Sequence, residues 1–293
     1  TMSNLKGILL AGGSGSRLFP LTAAFSKHLL PVYDKPLIHY PLATLMLAGV
    51  RDILVITTPS DRALISGLLG DGGSLGINLT YAEQQRPSGI AEALLIGRDF
   101  LAGDPVVLAL GDNIFFGHGL PELLARAKAQ REGATIFAYW VADPKRFGVV
   151  ELAGDHKVIG IEEKPLNPRS NYAVTGLYFF DGRASDLAAE LQPSARGELE
   201  ITDLVRRYLE MGQLQAQRLG RGFAWMDAGT PDALLDSANY VATIERRQGL
   251  KIACVEEIAW RMGWIDEDAL MALADTSGSG NYGDYLRGIV TTA

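Results

Sequence analysis

Short apolar runs alternate with longer segments of helical character in the first half of the chain. The runs are KGILLAG, DILVITT, LTYAEQ, VVLALGD and ATIFAYWV, and the segments between them cover residues 36–49, 59–70, 89–102 and 120–133. Strands that are apolar at successive positions are buried on both faces, and their alternation with helices is typical of a parallel sheet. The pattern therefore predicts an α/β fold.

The pattern changes after Val141. GVVELAG and KVIGIEEKP flank Asp155 and His156, which predicts a hairpin, and YAVTGLYFFD follows as a further strand. A mixed sheet is therefore expected. Residues 201–212 carry an apolar stripe at helical spacing, and residues 230–293 are mostly helical, with no linker before them. We expect a single domain, 1–293, with a core at 1–230 and a helical C-terminal extension at 231–293.

Composition excludes several classes of protein. The 293 residues carry a net charge of −7 without a basic stripe, so a nucleic-acid partner is not expected. No apolar run reaches the ~18 residues that a membrane span needs, and the N-terminus lacks a signal-peptide pattern. The single cysteine, Cys254, cannot form an internal disulfide and is typical of a core position. These features predict a cytoplasmic protein without membrane or nucleic-acid partners.

A loop rich in glycine and serine follows the first strand. It consists of Gly12, Gly13, Ser14, Gly15 and Ser16, and Arg17 comes next. Bare backbone with exposed N–H groups suits a phosphate. The third glycine of a dinucleotide fingerprint is replaced by Leu18, which excludes an NAD-dependent oxidoreductase, and the Gly-Lys-Ser/Thr of a P-loop is missing. The sequence predicts a phosphate loop of a different kind.

Two carboxylates follow strand-like segments. VVLAL leads into Gly111 and Asp112, and AWM leads into Asp227. Ligands of open parallel sheets lie beyond the carboxyl ends of the strands. Mg²⁺ prefers one or two carboxylates together with phosphate oxygens and water, so Asp112 and Asp227 are the predicted metal ligands. EEKP, residues 162–165, adds a cation at another strand end.

Several motifs occur together in a specific order. They are LAGGSGSRL, SKHLLPVYDKP, LGDNIF, FGVVE, EEKP, YAVTGLYFFD, RGELEITD and AWMDAGTPDALL. This series, from residue 6 to at least 263, resembles the bacterial glucose-1-phosphate thymidylyltransferases of the short, tetrameric subclass, within the sugar-nucleotidyltransferase family. The resemblance implies a Rossmann-like mixed sheet flanked by helices, with a sugar-binding insertion and C-terminal helices.

The reaction implied by the resemblance joins a sugar 1-phosphate to a nucleotide and releases pyrophosphate, with dTTP and glucose 1-phosphate as substrates and Mg²⁺ as cofactor. Positioning and charge neutralisation supply most of the catalysis in such a transfer. By resemblance, Arg17 grips the triphosphate above the glycine loop, and Lys27 contacts both substrates. Asp112 and Asp227 hold the metal, and Lys164 holds the sugar phosphate. The product, dTDP-glucose, would enter dTDP-rhamnose-type deoxysugar biosynthesis for cell-surface polysaccharide.

The resemblance also implies where specificity lies. Base-binding positions match Leu10, Gly12, Gln84 and Gly89, and sugar-side positions match Gly148, Glu163, Val174, Arg196 and Trp225. The chain departs from the common family pattern at Gln85, Ser88, Glu92 and Phe147. A sister nucleotidyltransferase that uses UTP or another sugar 1-phosphate therefore stays an alternative, and a catalytically inactive regulatory relative is a more remote one.

The C-terminal segment GLKIACVEEIAWRMGWI resembles part of a second nucleotide site for feedback by a dTDP-sugar. The positions concerned are Gly117, His118, Arg221, Glu257, Ile258 and Arg261. A helix that only packs a homotetramer is an equally good interpretation of the same segment.

Overall fold

The computed structural model describes residues 4–13, 15–154, 157–278 and 280–291. Their strands are β1 Lys6–Ala11, β2 Pro31–Val32, β3 Lys35–Pro36, β4 Asp52–Thr57, β5 Asn78–Glu83, β6 Val106–Leu110, β7 Asn113–Phe116, β8 Ala134–Trp140, β9 Gly148–Ala153, β10 Lys157–Glu163, β11 Tyr172–Phe180, β12 Leu214–Leu219 and β13 Ala224–Asp227. Their helices are α1 His39–Leu47, α2 Arg62–Leu69, α3 Glu92–Ile96, α4 Arg98–Leu101, α5 Leu120–Ala129, α6 Ala184–Ala189, α7 Ile201–Glu210, α8 Pro231–Gln248, α9 Val255–Arg261, α10 Glu267–Thr276 and α11 Asn281–Thr291.

Four neighbouring strands form the parallel part of the central sheet. Their order is β5-β4-β1-β6, and Leu10 of β1 lies between Ile56 of β4 and Leu110 of β6. Successive residues of β1 enter two different cores, with Leu9 on one face of the sheet and Ile8 on the other, both fully buried. The predicted parallel sheet with two covered faces is confirmed.

The second half of the sheet is mixed. β11 runs antiparallel between β6 and β8, and β12 then adds parallel to β8. β8 has the same direction as β1 but is separated from the parallel group by β11, which the sequence pattern did not show. β9 and β10 form the predicted antiparallel hairpin. The predicted turn at Asp155 and His156 lies outside the described residues.

Two details of the fold, one in the helices and one in the strands, differ from the sequence-based expectation. Residues 89–102 form two short helices, α3 and α4, with a break at Gly97. An added Cβ at Gly97 would lie 2.9 Å from Ile8 Cδ1, so this glycine allows the segment to approach β1 closely. The small antiparallel pair β7 and β13 lies apart from the main sheet and carries Asn113 opposite Asp227.

The C-terminal helices are attached to the core by apolar packing and by a buried ionic cluster. Lys35 Nζ, at the β2–β3 hairpin, lies 3.2 Å from Glu245 Oε1 on α8, and Lys251 Nζ lies 3.4 Å from Glu245 Oε2. Asp34 contacts both lysines. The cluster therefore ties the extension to the segment that follows the glycine loop. None of the described helices has the length and hydropathy for crossing a membrane.

Candidate active site

A cleft of about 570 Å³ opens at the carboxyl ends of the parallel strands. The site residues predicted from the sequence that line it are Leu10, Gly12, Gly13, Arg17, Lys27, Gln84, Gly89, Asp112, Gly148, Glu163, Lys164, Val174, Arg196, Trp225 and Asp227. Segments from both halves of the chain meet here because β11 joins the two parts of the sheet. One cleft thus contains the phosphate loop, the two predicted metal ligands and the predicted sugar-side residues.

The glycine loop adopts backbone conformations that favour glycine. Gly13 has a φ of +90° and Gly15 a φ of +60°, and the Thr22 hydroxyl donates to the Gly15 carbonyl at 2.9 Å. An added Cβ at Gly15 would lie 2.8 Å from Thr22 Cγ2, so any side chain here would collide with the return of the loop. Ser14 lies outside the described residues. Gly15 and Ser16 are absent from the described cleft wall.

Lys27 and Asp112 form an ion pair inside the cleft. Lys27 Nζ donates to Asp112 Oδ2 at 2.7 Å, and Asn113 Nδ2 donates to Asp112 Oδ1 at 2.9 Å. Burial would raise the pKa of the Asp112 carboxyl, but the charge of Lys27 and these hydrogen bonds lower it to about 2. The carboxylate is therefore ionised at neutral pH.

His28 is buried next to this ion pair. The ring is 1% exposed, and burial together with the neighbouring Lys27 charge lowers the pKa of the imidazole to about 3. An added Cβ at Gly111 would lie 2.7 Å from His28 Cδ2, so Gly111 supports the cleft by letting this neutral ring pack against the end of β6. Gly111 itself is absent from the described wall of the cleft.

Asp227 is the last residue of β13 and lies in the same part of the cleft as Asp112. Its Oδ1 accepts from the Gly229 N–H at 2.8 Å, and the Ala228 N–H donates to the Asp112 backbone carbonyl at 3.0 Å. An added Cβ at Gly229 would lie 3.0 Å from Arg17 Nη2, which shows that the guanidinium is close by. This turn therefore connects the two carboxylate-bearing segments with the arginine of the phosphate loop.

The donor set fits Mg²⁺. Two carboxylates face a loop that suits phosphate, and Mg²⁺ completes its coordination with phosphate oxygens and water. Within the described ranges no group of three or more histidine, cysteine or acidic residues could hold a metal by itself. Such an arrangement is typical of a metal that enters with a phosphate substrate.

The predicted base-binding end is formed by Gln84 and the residues after it. Gln84 is 6% exposed, and its Nε2 donates to the Gly89 carbonyl at 3.1 Å and to Glu92 Oε2 at 2.7 Å. Gly89 has a φ of +104°, and an added Cβ would lie 2.3 Å from the Leu199 carbonyl oxygen. Ser88 and Ala91 bond to the backbone of Leu199, so the base-binding segment is joined to the sugar side.

The predicted sugar end is rich in charge. Glu163 Oε1 lies 3.4 Å from Lys164 Nζ and 3.6 Å from Arg196 Nη2, which also pairs with Glu198 and Glu200. Lys164 has a φ of +43°, an uncommon value for a residue with a side chain, and its N–H donates to the Phe147 carbonyl at 3.0 Å. This strained turn directs the residue at the end of β10 toward the cleft.

Asn113 is a structural centre that the sequence reasoning missed. Its Oδ1 accepts from the Trp225 indole N–H at 2.7 Å and from the Gly176 N–H at 2.9 Å, while its Nδ2 holds Asp112. Trp225 also packs edge-on against Tyr139 and Phe147, with ring centroids 5.8 and 5.2 Å away. One buried amide thus connects the carboxylate of Asp112 to the aromatic wall around Trp225. The sequence feature that could have identified Asn113 is its position directly after Asp112.

Other lining residues were also absent from the predicted site. They are Pro87, Ile90, Leu110, Arg146, Phe147, Gly176, Tyr178, Glu198, Glu200, Ile201 and Thr202. Arg146 lies with its guanidinium 5.2 Å from the centre of the Phe147 ring, and its place before the FGVVE motif was a detectable signal. The Thr202 hydroxyl is buried without a partner among the described residues. It is therefore an available polar group at the sugar end.

Three of the predicted regulatory positions, Glu257, Ile258 and Arg261, belong to α9, and the other three are Gly117, His118 and Arg221. Arg261 Nε donates to Glu257 Oε1 at 2.7 Å, and its guanidinium lies 5.5 Å from the Trp260 ring centre. Ile258 packs against the main core. Gly117 faces the ring of Phe223, with 2.5 Å between an added Cβ and Phe223 Cδ1. His118 and Arg221 are exposed.

The mixed α/β sheet and its cleft define a nucleotide-binding protein that acts on phosphate groups. More particularly, the chain belongs to the nucleotidyl transferase family, which matches residues 6–244. It is 59% identical over 285 residues to a glucose-1-phosphate thymidylyltransferase of Xanthomonas campestris pv. campestris, with 97% of each chain covered. It is 56% identical over 282 residues to the enzyme of the same name from Neisseria meningitidis, covering 96% of this chain and 98% of that one.

A solved structure shows the same fold. It is a Bacillus anthracis chain assigned the same enzyme name and determined in complex with a sucrose, 42% identical, with a TM-score of 0.75. The alignment covers 80% of this chain and 94% of that one. The expected fold class and family are confirmed.

Proposed function

We propose that this chain is a glucose-1-phosphate thymidylyltransferase, which joins dTTP and glucose 1-phosphate to give dTDP-glucose and pyrophosphate. The observation that carries the proposal is the meeting of the glycine loop, Arg17, Lys27 and two carboxylates with Lys164 and Arg196 in one cleft. The names of the relatives that cover nearly the whole chain support it. The reaction would be the first step of dTDP-rhamnose-type deoxysugar biosynthesis.

An oxygen of the sugar phosphate attacks the α-phosphorus of dTTP, a P–O bond forms, and the bond to pyrophosphate breaks. The phosphate nucleophile carries its own negative charge and needs no general base. Arg17 and the loop N–H groups bind the triphosphate, and Lys27, whose Nζ lies 2.7 Å from Asp112 Oδ2, also binds phosphate oxygens. Mg²⁺ held by Asp112 and Asp227 would neutralise charge on the phosphates.

Lys164 and Arg196 bind the sugar phosphate in this proposal. Glu163 lies near both cations. Its Oε2 would lie 3.5 Å from an added Cβ at Gly148, in the same part of the cleft. In this proposal the Glu163 carboxylate accepts hydrogen bonds from sugar hydroxyls. Arg146 adds a cation that forms no ion pair with the described residues. Arg146 is therefore the cation of the sugar end that is available for a phosphate without breaking an ion pair of the described residues.

The decisive experiment measures pyrophosphate release by the purified protein. dTTP and UTP are each tested against several sugar 1-phosphates with Mg²⁺ present. Highest kcat/KM for dTTP with glucose 1-phosphate is expected, whereas a preference for UTP or for another sugar phosphate would favour the sister-enzyme alternative. No turnover with any pair would favour an inactive regulatory relative.

The metal ligands are tested by charge removal. Asp112→Asn and Asp227→Asn should each lower turnover at least ~10²-fold with the fold retained, because each removes a negative charge from the Mg²⁺ site. Asp236→Asn, an exposed position on α8, is the matched control and should leave turnover unchanged. Near-normal activity of either cleft variant at limiting Mg²⁺ would contradict the assignment.

We also infer that the extension 231–293 supports a homotetramer with feedback by a dTDP-sugar. Arg261 is exposed and offers a cation beside Trp260, which suits a diphosphate attached to a ring. The native mass should be about four times 31.6 kDa. Arg261→Ala should relieve inhibition by dTDP-rhamnose without changing uninhibited turnover. Unchanged inhibition would mean that these helices serve only packing.

A further inference from the structure

One inward-facing side chain stands out in the exposed segment that follows the phosphate loop. Residues 19–25 are exposed with the exception of Thr22, which is half-buried. Phe19 and Phe25, near the two ends of the segment, are 70% and 62% exposed. Thr22 is therefore the side chain through which this segment packs against the loop.

The Thr22 side chain contacts the loop at Gly15. Its hydroxyl donates to the Gly15 carbonyl at 2.9 Å, and the Leu18 N–H donates to the same oxygen at 2.9 Å. The bond from Leu18 lies inside the turn of residues 15–18 and moves with it, whereas the bond from Thr22 ties this turn to another segment. An added Cβ at Gly15 would lie 2.8 Å from Thr22 Cγ2 and 3.4 Å from Lys27 Cβ. Thr22 therefore holds the turn against the base of the Lys27 side chain.

The direction of the Gly15 carbonyl also sets the direction of the next N–H. In a planar trans peptide the C=O and the N–H point to opposite sides. Because the Gly15 carbonyl faces Leu18 and Thr22, the Ser16 N–H points away from them. None of the described residues accepts a hydrogen bond from it.

The Ser16 N–H is a donor in a place that suits an anion. Ser16 is exposed and lies between Gly13 and Arg17, which both line the cleft. Gly15 has φ +60° and ψ +22°, and left-handed residues of this kind form concave backbone sites whose N–H groups bind anions. Lys27 Nζ would lie 3.9 Å from an added Cβ at Gly13, so its ammonium group is close to the same stretch of backbone.

We infer that Thr22 is a positioning residue for the triphosphate. Its hydroxyl keeps the Gly15 carbonyl turned away from the phosphates and thereby presents the Ser16 N–H to them. The inference rests on the proposed function. Without the hydroxyl, the peptide between residues 15 and 16 loses its bond to the neighbouring segment and is freer to rotate, which brings a carbonyl oxygen toward an anion in place of a donor.

The test uses Thr22→Val, which keeps the shape of the side chain and removes the hydroxyl. Pyrophosphate release is measured with varied dTTP and with varied glucose 1-phosphate. The KM for dTTP should rise at least about fivefold, the effect of losing one hydrogen bond, and the KM for glucose 1-phosphate should stay constant. Inhibition by added inorganic pyrophosphate should weaken by a similar factor, because pyrophosphate has the phosphates without the nucleoside. Thr22→Ser keeps the hydroxyl and should behave like the wild-type protein.

Thr243→Val is the matched control. The Thr243 hydroxyl also donates to a backbone carbonyl, that of Asn239 at 2.7 Å, at an exposed position of α8. Neither KM should change in this variant. Urea denaturation of all variants identifies a loss of stability, which by itself would not separate the two substrates. Should Thr22→Val fail to fold, Thr22→Ala also removes the hydroxyl and should give the same rise in the KM for dTTP.

An unchanged KM for dTTP in a folded variant without the hydroxyl would overturn the inference and leave the proposed function intact. Equal changes for dTTP and glucose 1-phosphate, unchanged inhibition by pyrophosphate, or a Thr22→Ser variant as impaired as Thr22→Val would overturn it as well. A wild-type protein that does not use dTTP would instead overturn the proposed function, so the two failures give different results.

Discussion

Replacing Asn113 by alanine should strongly destabilise the fold. The Asn113 side chain is 4% exposed, and its oxygen is the acceptor for the Trp225 indole N–H and the Gly176 N–H. An added Cβ at Gly176 would lie 2.6 Å from this oxygen, so the Asn113 amide packs directly against the Gly176 backbone. Alanine would leave two buried donors without a partner.

The expected cost follows from those two donors. Each unsatisfied buried group costs about 1–3 kcal/mol, so the loss of two partners in Asn113→Ala should lower the free energy of unfolding by about 2–6 kcal/mol. Asn113→Asp keeps an acceptor for both donors and should cost less stability. It replaces the donor to Asp112 by a second negative charge, however, which raises the pKa of Asp112 and should lower turnover strongly.

Urea denaturation followed by tryptophan fluorescence measures the first effect, and pyrophosphate release measures the second. Asn239→Ala, at an exposed position of α8, controls for the loss of an asparagine side chain. A loss of less than about 0.5 kcal/mol in Asn113→Ala, no larger than that of an ordinary surface substitution, would refute the reasoning. Full activity of Asn113→Asp would show that the donor to Asp112 is unimportant.

Three further outcomes are expected. Lys164→Ala should raise the KM for sugar 1-phosphate far more than the KM for dTTP, because the lysine is assigned to the sugar side; equal changes would disprove that division. Burial lowers the pKa of His28 to about 3 in the folded state, against 6.5 in the unfolded state. The free energy of unfolding should therefore decrease as the pH falls below 6.5, by about 2 kcal/mol at pH 5. Urea titrations at pH 7.5 and pH 5 measure this change, and it should be smaller by about the same amount in His28→Gln. An equal change in the free energy of unfolding in both proteins would contradict the reasoning. Gly89→Ala should lower the melting temperature by several degrees, since its Cβ would lie 2.3 Å from the Leu199 carbonyl oxygen; an unchanged melting temperature would show that the junction yields easily.

The sequence predicted those parts of the fold that depend on local patterns. β1, β4 and β6 appear as apolar runs because a strand buried on both faces needs apolar residues at nearly every position. Asp112 was proposed as a site residue because it comes two positions after the end of such a strand. The rule that ligands lie beyond strand ends then grouped residues that are far apart in the chain.

The missed features depend on pairings between distant segments. The insertion of β11 between β6 and β8 leaves no trace in the periodicity of any of the three strands. The break at Gly97 results from its close approach to Ile8, nearly ninety positions earlier in the chain. Asn113 resembles any polar residue after a strand until Trp225 and Gly176 are brought against it.

The order in which the strands pair bears on protein synthesis. The parallel strands β5, β4, β1 and β6 are all complete by Leu110, and N-terminal parts of a chain generally fold first on the ribosome. β12 must later find β8, and β13 must find β7 across about a hundred residues. A nascent chain that ends before Asp227 would have the glycine loop and Asp112 but only half of the carboxylate pair. Under the proposed assignment of Asp112 and Asp227, translation has to pass residue 227 before the nascent chain holds both metal ligands.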